Sequence, residues 1–226
     1  MENVPANPQD LRELLRWRAK ELLPYPAEEA VIDFQLLGTQ AKDGKTLYRF
    51  FCIFLRQEIL WQYEDLLNSL GFYPTQVLCN SLGVYNLLVD YLGFKEGAGK
   101  VWVLANLEPG TTTIMVVDRG VISYFRSLRE EDEAGAPPPE THLARELADS
   151  LHYYATSHPQ QTISKIYLAG VRAARAGLTA QLNQALNLPV ETVDLKRIVR
   201  VAPHIPAQDE NLLTAAPGLG LAGYIK

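Results

Sequence analysis

The chain has 226 residues, of which 47% are hydrophobic and 21% are charged, and its formal net charge is −5. These values are typical of a globular protein and exclude wholesale disorder or a fibrous repeat. The acidic balance, with no basic block to offset it, argues against a nucleic-acid-binding surface, and no apolar stretch approaches the roughly 18 to 20 residues of a membrane span. Two lone cysteines, Cys52 and Cys79, lie in apolar runs, which indicates a reducing cytosol rather than a disulfide-stapled fold.

The first predicted element is an amphipathic helix. It starts at Pro8, its leucines recur at helical spacing, and it ends before Pro24 and Pro26, because proline cannot continue the hydrogen-bond ladder. Trp17 lies within this pattern, and we expect it to pack in the core. The alternative is that the helix presents a partner surface, since a basic stripe accompanies Trp17 and both Arg and Trp are common interface anchors. The stripe consists of Arg12, Arg16, Arg18 and Lys20.

A β-hairpin and a second helix are predicted next. Alternating apolar and polar residues predict a half-buried strand over 30–37, and Asp43-Gly44 predicts a hairpin turn, because glycine takes positive φ without cost. The return strand over 46–55 is nearly all apolar at its end, so both of its faces are expected to be covered. The following helix spans about 56–69, and Gly71 closes it as a C-cap.

The middle of the chain contains the predicted subdomain boundary. We expect a short strand near 75–79 and then a helix over about 81–92, with Asn80 or Ser81 as its N-cap. The polar, glycine-bearing segment 95–100 separates this helix from the next strand. This segment is the predicted boundary between two domains, 1–94 and 95–226.

The second domain is predicted to open with a three-stranded meander. Strands over 101–107, 111–117 and 121–128 are separated by turns that end in Gly110 and Gly120. The acidic, proline-rich segment 129–140 is expected to form an exposed loop. The remaining predicted elements are a helix over 141–156, a strand over 165–168, a helix over 172–186, a strand over 190–193 and a helical start to the tail from residue 209.

Strands that alternate with helices predict an α/β layer architecture. The meander is the more specific signal, because an antiparallel start followed by α–β–α–β is how the half-domain of the actin, sugar-kinase and Hsp70 ATPases is built. In that fold the meander turn cradles phosphates, and a later strand-to-helix turn holds the adenosine.

Four segments, in their order along residues 9–224, carry a resemblance to one known family. They are LRELLRWRAKELLPYPAEEAVIDFQLLG, VLANLEPGTTTIMVVDRGVISYFRSL, KIYLAGVRAARAGL and AAPGLGLAG. In the first segment the matching residues are Trp17, Pro24, Pro26, Asp33, Phe34, Gln35 and Gly38. The other three look like a second phosphate-binding hairpin, an adenosine-binding turn and a C-terminal helix. The chain thus resembles the PilM family, the cytoplasmic actin-like protein of type IV pilus assembly, and more distantly the cytoplasmic domain of the type II secretion protein GspL.

The resemblance implies an actin-like (RNase H-like) ATPase fold in partial form. The first phosphate-binding hairpin of the family has no counterpart here; either it is missing or it lies upstream in a longer protein. Where the family tends to have Asp-x-Gly, this chain has Asn106 and Glu108. Asn106 has no charge with which to place Mg²⁺, and Glu108 brings a carboxylate to the phosphate position. The adenosine turn, usually Gly-Gly, is Gly170-Val171.

The candidate nucleotide-binding residues are therefore expected to be vestigial. The threonines after the meander turn could bind phosphate, but threonine is also a good strand residue, and Gly170 could simply be required by a strand-to-helix turn. No catalytic residue or metal site is predicted, because Cys52 lies where a thiol stays protonated and the four histidines lack metal-ligand spacing. The vestigial set is Asn106, Glu108, Gly110, Thr111, Thr112 and Gly170.

The sequence thus predicts a non-catalytic cytoplasmic scaffold of a type IV pilus or secretion-type platform, peripheral to the inner face of the cytoplasmic membrane. The resemblance implies that it binds the cytoplasmic tail of a membrane-anchored, PilN-like partner, and no cofactor is expected. The alternative is an ATP-binding actin-like assembly factor of the same machine, which would hold ATP and Mg²⁺ between the meander turn and Gly170. Homo-oligomerisation stays open. The candidate partner-binding residues are Arg12, Arg16, Trp17 and Lys20.

Overall fold

The computed structural model of the chain describes residues 1–95, 100–129, 139–200 and 214–221. The chain divides into two compact units, Met1–Val77 and Leu78–Lys226. This division lies earlier than the predicted boundary at 94/95, because the helix that follows residue 79 packs on the sheet and the last helix of the second unit. Residues 96–99 of the predicted boundary segment and 130–138 of the predicted acidic loop lie outside the described residues.

The first unit is a β-hairpin flanked in sequence by two helices. Its elements are α1 (Pro8–Ala19), β1 (Ala30–Lys42), β2 (Lys45–Arg56) and α2 (Gln57–Ser69). The two strands pair antiparallel, with a β-bulge between Leu36 and Gly38. The connection has positive φ at both Asp43 and Gly44, the backbone that a two-residue hairpin turn requires. The hairpin predicted from Asp43-Gly44 is confirmed.

One face of the hairpin carries the small core of this unit. Leu11 and Leu15 of α1 pack on Ile32, and Phe34, Phe50, Cys52 and Phe54 surround them half-buried. From Phe50 to its end, β2 is half-buried throughout, so the expectation that both of its faces are covered is wrong. In the described part of the chain this sheet has two strands, and α1 packs on one of its faces.

Helix α2 ends in a Schellman motif. The N–H of Phe72 donates to the carbonyl of Leu67 at 2.9 Å, and the N–H of Gly71 donates to the carbonyl of Asn68 at 3.0 Å. Gly71 takes φ +80°, which confirms its predicted role as the C-cap glycine. The helix itself has no buried residue.

The second unit is a three-layer α/β/α structure. Its elements are α3 (Asn80–Lys95), β3 (Val101–Glu108), β4 (Thr111–Asp118), β5 (Val121–Arg129), α4 (Pro139–Ser157), β6 (Ile163–Ala169), α5 (Leu178–Leu186), β7 (Val190–Thr192) and α6 (Ala215–Leu221). The strand order is β5-β4-β3-β6-β7, in which β3, β4 and β5 form an antiparallel meander and β6 and β7 run parallel to β3. The predicted meander and the α/β class are confirmed.

Both faces of the central strand β3 are buried because its side chains alternate. Val103, Ala105 and Leu107 point to a core that α4 and α5 complete, whereas Trp102 and Leu104 point to a core that α3 and α6 complete. A strand with two covered faces reads as a continuous apolar run, which is why VWVLANL has one polar residue in seven.

Three predicted local features differ from the structure. Residues 75–79 form no strand, and the described residues offer them no strand partner. Helix α3 already begins at Asn80, so Asn80 and Ser81 lie in its first turn rather than capping it. The helix predicted over 172–186 is broken into a 3₁₀ turn, Val171–Ala174, and α5, because Gly177 takes a left-handed conformation with φ +81°.

The turn that leaves β6 depends on Gly170. Its φ of 87° and ψ of 171° lie in a region that is open almost only to glycine. A Cβ atom at this position would lie 2.6 Å from the carbonyl oxygen of Leu107. The glycine therefore allows the turn to approach the end of β3 closely.

Among the described residues, no helix combines the length and the apolar character that a bilayer-spanning segment needs.

Replacing Gly170 with alanine is expected to destabilise the protein more than the matched change Gly177→Ala. Both glycines have positive φ, which costs alanine about 1–2 kcal/mol in the left-handed region. Only Gly170 has backbone within collision distance of a new Cβ, since a Cβ on Gly177 meets nothing within 4 Å. We expect a loss of at least about 3 kcal/mol for Gly170→Ala in urea unfolding. Equal losses for the two variants would contradict the close approach.

The two thiols are expected to differ in reactivity. Burial raises the pKa of the half-buried Cys52 thiol, whereas Cys79 is exposed. A raised pKa leaves less thiolate near neutral pH, and the thiolate is the nucleophile. In an alkylation time course at pH 7.5 followed by peptide mass spectrometry, Cys79 should be modified several-fold faster than Cys52. Faster modification of Cys52 would show that the α1–hairpin core opens readily.

Candidate functional site

A chain of buried polar side chains lies at the carboxyl ends of β3 and β6, the edge where α/β proteins commonly bind ligands. Asn106, on β3, is 1% exposed, and its Nδ2 donates to Ser81 Oγ at 3.0 Å. The Ser81 hydroxyl in turn donates to Thr113 Oγ1 at 3.1 Å. The three residues come from β3, α3 and β4, so the chain ties one helix to two neighbouring strands.

Two further hydrogen bonds flank this chain. Asn80 Nδ2 donates to Glu108 Oε1 at 2.9 Å, which links the start of α3 to the end of β3. Arg172 Nη2 donates to Thr112 Oγ1 at 2.7 Å, which links the turn after β6 to the start of β4. A carboxylate and a guanidinium therefore both lie at this edge of the sheet.

Four of the six residues predicted for the vestigial nucleotide site lie at this edge of the sheet. They are Asn106, Glu108, Thr112 and Gly170. Gly170 approaches so closely that an added Cβ would lie 2.9 Å from Asn106 Oδ1, and Thr112 is paired with Leu107 across the meander. Gly110 and Thr111 lie at the meander turn, where Gly110 is exposed with φ +71° and open space beside it. Thr112 is buried, so its hydroxyl faces the protein rather than solvent.

Sequence reasoning missed the partners of these residues. Ser81 and Asn80 were assigned to helix capping, and Arg172 was placed on a helix without a role. The available signals were weak: a polar pair opening an otherwise apolar helix, and a basic residue two positions after the essential glycine. Neither shows which strand the side chain reaches.

In the part of the chain that the structure describes, no group of three or more His, Cys, Asp or Glu residues has the geometry to hold a metal ion. His142 and His152 are exposed. His158 is half-buried and stacks on Tyr154, with ring centroids 4.4 Å apart. The fourth histidine, His204, lies outside the described residues.

The second candidate site is the outer surface of α1. Arg12 lies over the Phe34 ring at 5.8 Å, and Arg16 forms an ion pair with Glu13 at 2.6 Å, so both guanidinium groups have contacts within the unit. Lys20 is exposed. In the predicted basic stripe, Arg12 and Arg16 therefore have contacts within the unit, whereas the end of the stripe at Lys20 is exposed.

Trp17 belongs to the exposed end of this stripe. Its side chain is 67% exposed, with the Arg18 guanidinium 5.9 Å from the ring centroid. The expectation that it packs in the core is wrong, because Leu11, Leu15 and Ala19 already form the buried face. At about 100° per residue, position 17 lies on the opposite side of the helix from these three. We call Trp17, Arg18 and Lys20 the α1 face.

Comparisons with known proteins show what the chain is similar to. Residues 136–223 match the family described as type IV pilus assembly protein PilM. No curated protein sequence matches the chain. A solved structure of a PilM–PilN type IV pilus biogenesis complex is similar to it at 19% identity with a TM-score of 0.79, covering 99% of this chain and 74% of that chain.

Two other solved structures are more distant. One is the cytoplasmic domain of EpsL, an inner membrane component of the type II secretion system of Vibrio cholerae, at 12% identity and a TM-score of 0.47, covering 100% of this chain and 73% of that one. The other is a protein with an actin-like ATPase fold from Bacteroides thetaiotaomicron, at 14% identity and a TM-score of 0.46, covering 92% of this chain and 66% of that one.

The similarity to the PilM–PilN complex extends over nearly the whole chain and confirms the predicted actin-like α/β fold. The family match covers the segment that contains α4, β6, α5, β7 and α6. The chain is therefore similar in fold to the PilM–PilN complex over nearly its whole length, and it matches the PilM family model over residues 136–223.

Proposed function

We propose that this protein is a non-catalytic scaffold of a type IV pilus or secretion-type assembly platform, and that its α1 face contacts the cytoplasmic tail of a membrane-anchored, PilN-like partner. The observation that carries the proposal is the exposed Trp17 beside Arg18 and Lys20. Trp and Arg are the residues most enriched among interface anchors. An exposed indole contributes little to the fold of the unit, and it is accessible to a partner.

The known relative supports the class of partner. The similar solved structure is a complex of PilM with PilN. A short tail needs only pockets, exposed aromatic side chains and charges to be captured. Through such a tail the protein would be held at the inner face of the cytoplasmic membrane.

The polar edge of the second unit fits Mg²⁺–ATP poorly, which supports a role without nucleotide hydrolysis. Asn106 carries no charge and is committed to Ser81, so it supplies no anionic ligand for a cation's water shell. Glu108 brings a carboxylate to the edge where the phosphates would lie, an unfavourable like-charge contact. A nearby cation that would suit a phosphate, Arg172, donates to Thr112. We therefore propose that partner binding does not require ATP.

Replacing Trp17 with alanine should weaken binding of the partner tail. The probe is a labelled peptide with the cytoplasmic tail sequence of the PilN-like protein from the same organism, measured by fluorescence anisotropy. We expect a loss of at least about tenfold, since truncating a central interface tryptophan removes 1.4 kcal/mol or more. Because Trp17 is exposed, the variant should keep the wild-type circular dichroism spectrum.

The matched control is Tyr153→Ala, which removes an aromatic ring that is 63% exposed on α4 of the other unit. It should leave tail binding unchanged. Wild-type binding by Trp17→Ala would place the contact elsewhere on the protein. Failure of the wild-type protein to bind the tail at all would contradict the proposed function itself.

Millimolar ATP with Mg²⁺ should leave the thermal unfolding midpoint unchanged. A ligand at a hundredfold excess over its Kd stabilises the native state by about 2.7 kcal/mol, which raises the midpoint by several degrees in a protein of this size. Differential scanning fluorimetry can detect such a shift. A rise of several degrees that disappears in Arg172→Ala would instead favour the ATP-binding assembly factor.

A further inference from the structure

The edge of β2 that faces away from β1 already pairs with an extended segment at one point. The N–H of Tyr48 donates to the carbonyl of Met1 at 2.8 Å, and the amino group of Met1 donates to the carbonyl of Tyr48 at 2.7 Å. Two residues that exchange both bonds form an antiparallel pair. Glu2 then forms an ion pair with Lys45 at 2.7 Å, which shows that Met1 and Glu2 run antiparallel to β2. This edge therefore accepts an antiparallel strand.

The alternation of the strand continues this pairing edge beyond Tyr48. Successive residues of a strand direct their backbone groups to opposite edges, and the β-bulge of the hairpin lies in β1, so the alternation in β2 is unbroken. The backbone groups of Phe50, Cys52 and Phe54 therefore point to the same outer edge as those of Tyr48. In the part of the chain that the structure describes, no backbone group bonds to these three residues at that edge.

The side chains of the same three residues show what an added strand would cover. Phe50, Cys52 and Phe54 lie half-buried on the face of the hairpin that α1 covers. Residues opposite them on a neighbouring strand would place their side chains on this same face, about 5 Å away. Apolar residues at these alternate positions would extend the core between α1 and the hairpin.

The two edges of the hairpin differ in their protection against pairing. The β1 edge has the bulge between Leu36 and Gly38, and its strand contains several polar residues, a combination that blunts strand edges. These polar residues are Asp33, Gln35, Thr39 and Gln40. Between Arg49 and Arg56, in contrast, β2 has six consecutive apolar residues with no charge and no proline. An apolar edge without such protection is a template for another strand.

We propose that the outer edge of β2 binds an extended segment of a protein partner by β-strand addition, antiparallel to β2 and in line with Met1. Main-chain bonds to residues 50, 52 and 54 would hold the segment, and its alternate apolar side chains would pack beside Phe50, Cys52 and Phe54. A second copy of the chain is a poorer occupant. Paired edges would contribute only residues 50–54 from each copy, whereas a stable dimer interface takes roughly 20 to 30 residues a side.

This inference does not depend on the proposed tail site. Trp17 lies on the side of α1 that faces away from the hairpin, whereas the proposed strand would lie beside β2. Trp17→Ala should therefore leave strand binding unchanged, so the two proposals can fail separately.

A set of short synthetic peptides tests the backbone pairing directly. Each peptide is acetylated and amidated, with valine at alternate positions and threonine or lysine between them. In the proposed pairing the N–H groups of the valines face β2, and those of the intervening residues face away. N-methylation of the valines should weaken binding to the full chain at least about tenfold in fluorescence anisotropy, because it removes several hydrogen bonds. N-methylation of the intervening residues should leave binding unchanged.

A matched pair of variants tests the same edge from the side of the protein. Cys52→Pro removes an N–H that points away from β1, and proline is tolerated at a strand edge of this kind. It should weaken binding of the unmethylated peptide at least about tenfold while the circular dichroism spectrum is kept. Cys52→Val keeps the N–H and should bind as the wild type does.

Hydrogen exchange followed by NMR provides a measurement that needs no variant. In the free protein, the amides of Phe50, Cys52 and Phe54 should exchange faster than those of Phe51 and Ile53, which pair with β1. The peptide should slow the first three and leave the other two unchanged. It should also slow alkylation of Cys52 and not that of the exposed Cys79.

Several outcomes would overturn the inference. These are absence of binding by the unmethylated peptide, equal effects of the two methylation patterns, undiminished binding by a folded Cys52→Pro variant, or a dimer in light scattering that this variant dissociates. If Cys52→Pro does not fold, the methylated peptides and the amide exchange decide the question.

Discussion

The second unit is organised around a single polar residue in its central strand. Asn106 lies on β3, which is buried on both faces, and an amide buried without hydrogen bonds costs free energy. Its Nδ2 is satisfied by Ser81, whose hydroxyl continues to Thr113, so the start of α3 and the start of β4 are fixed relative to β3. Gly170 brings the turn after β6 to the same point. This edge is therefore a set of mutual contacts in which Asn106 Nδ2 is satisfied, whereas Asn106 Oδ1 is buried without a hydrogen-bond partner among the described residues.

The sequence predicted those elements whose signals are local. The meander follows from two glycine turns between apolar runs, the hairpin from Asp43-Gly44, and the end of α2 from Gly71; each depends on backbone conformations that few residues tolerate. The errors arose where tertiary packing decides. Apolar residues suggested a covered β2 and a strand over 75–79, but neither meets enough neighbouring structure to be buried. The sequence does not show whether a glycine such as Gly177 interrupts a helix or is tolerated within it.

The same distinction between local signals and tertiary packing explains which site residues could be predicted. The six meander and turn residues were found because their family context is a short motif, and four of them do converge in space. Ser81 and Arg172 could not be found, because they are close to this edge only after α3 and β6 pack on β3. Trp17 was misassigned because hydrophobicity alone predicts burial. The buried residues at positions 11, 15 and 19 lie on the side of the helix opposite to Trp17. Once the buried face is identified, the helical spacing of the sequence places Trp17 outside it.

The α1 face combines an exposed indole with two cationic side chains, and this combination has a consequence for specificity. Trp17 is accompanied by Arg18 and Lys20, which are both exposed. Apolar surface provides most of the affinity in an interface but discriminates poorly between partners, whereas charge adds little affinity and rejects mismatched partners. A basic partner segment would meet repulsion at the α1 face. At the proposed tail site, the indole of Trp17 would therefore provide affinity, and the two cations would reject basic segments.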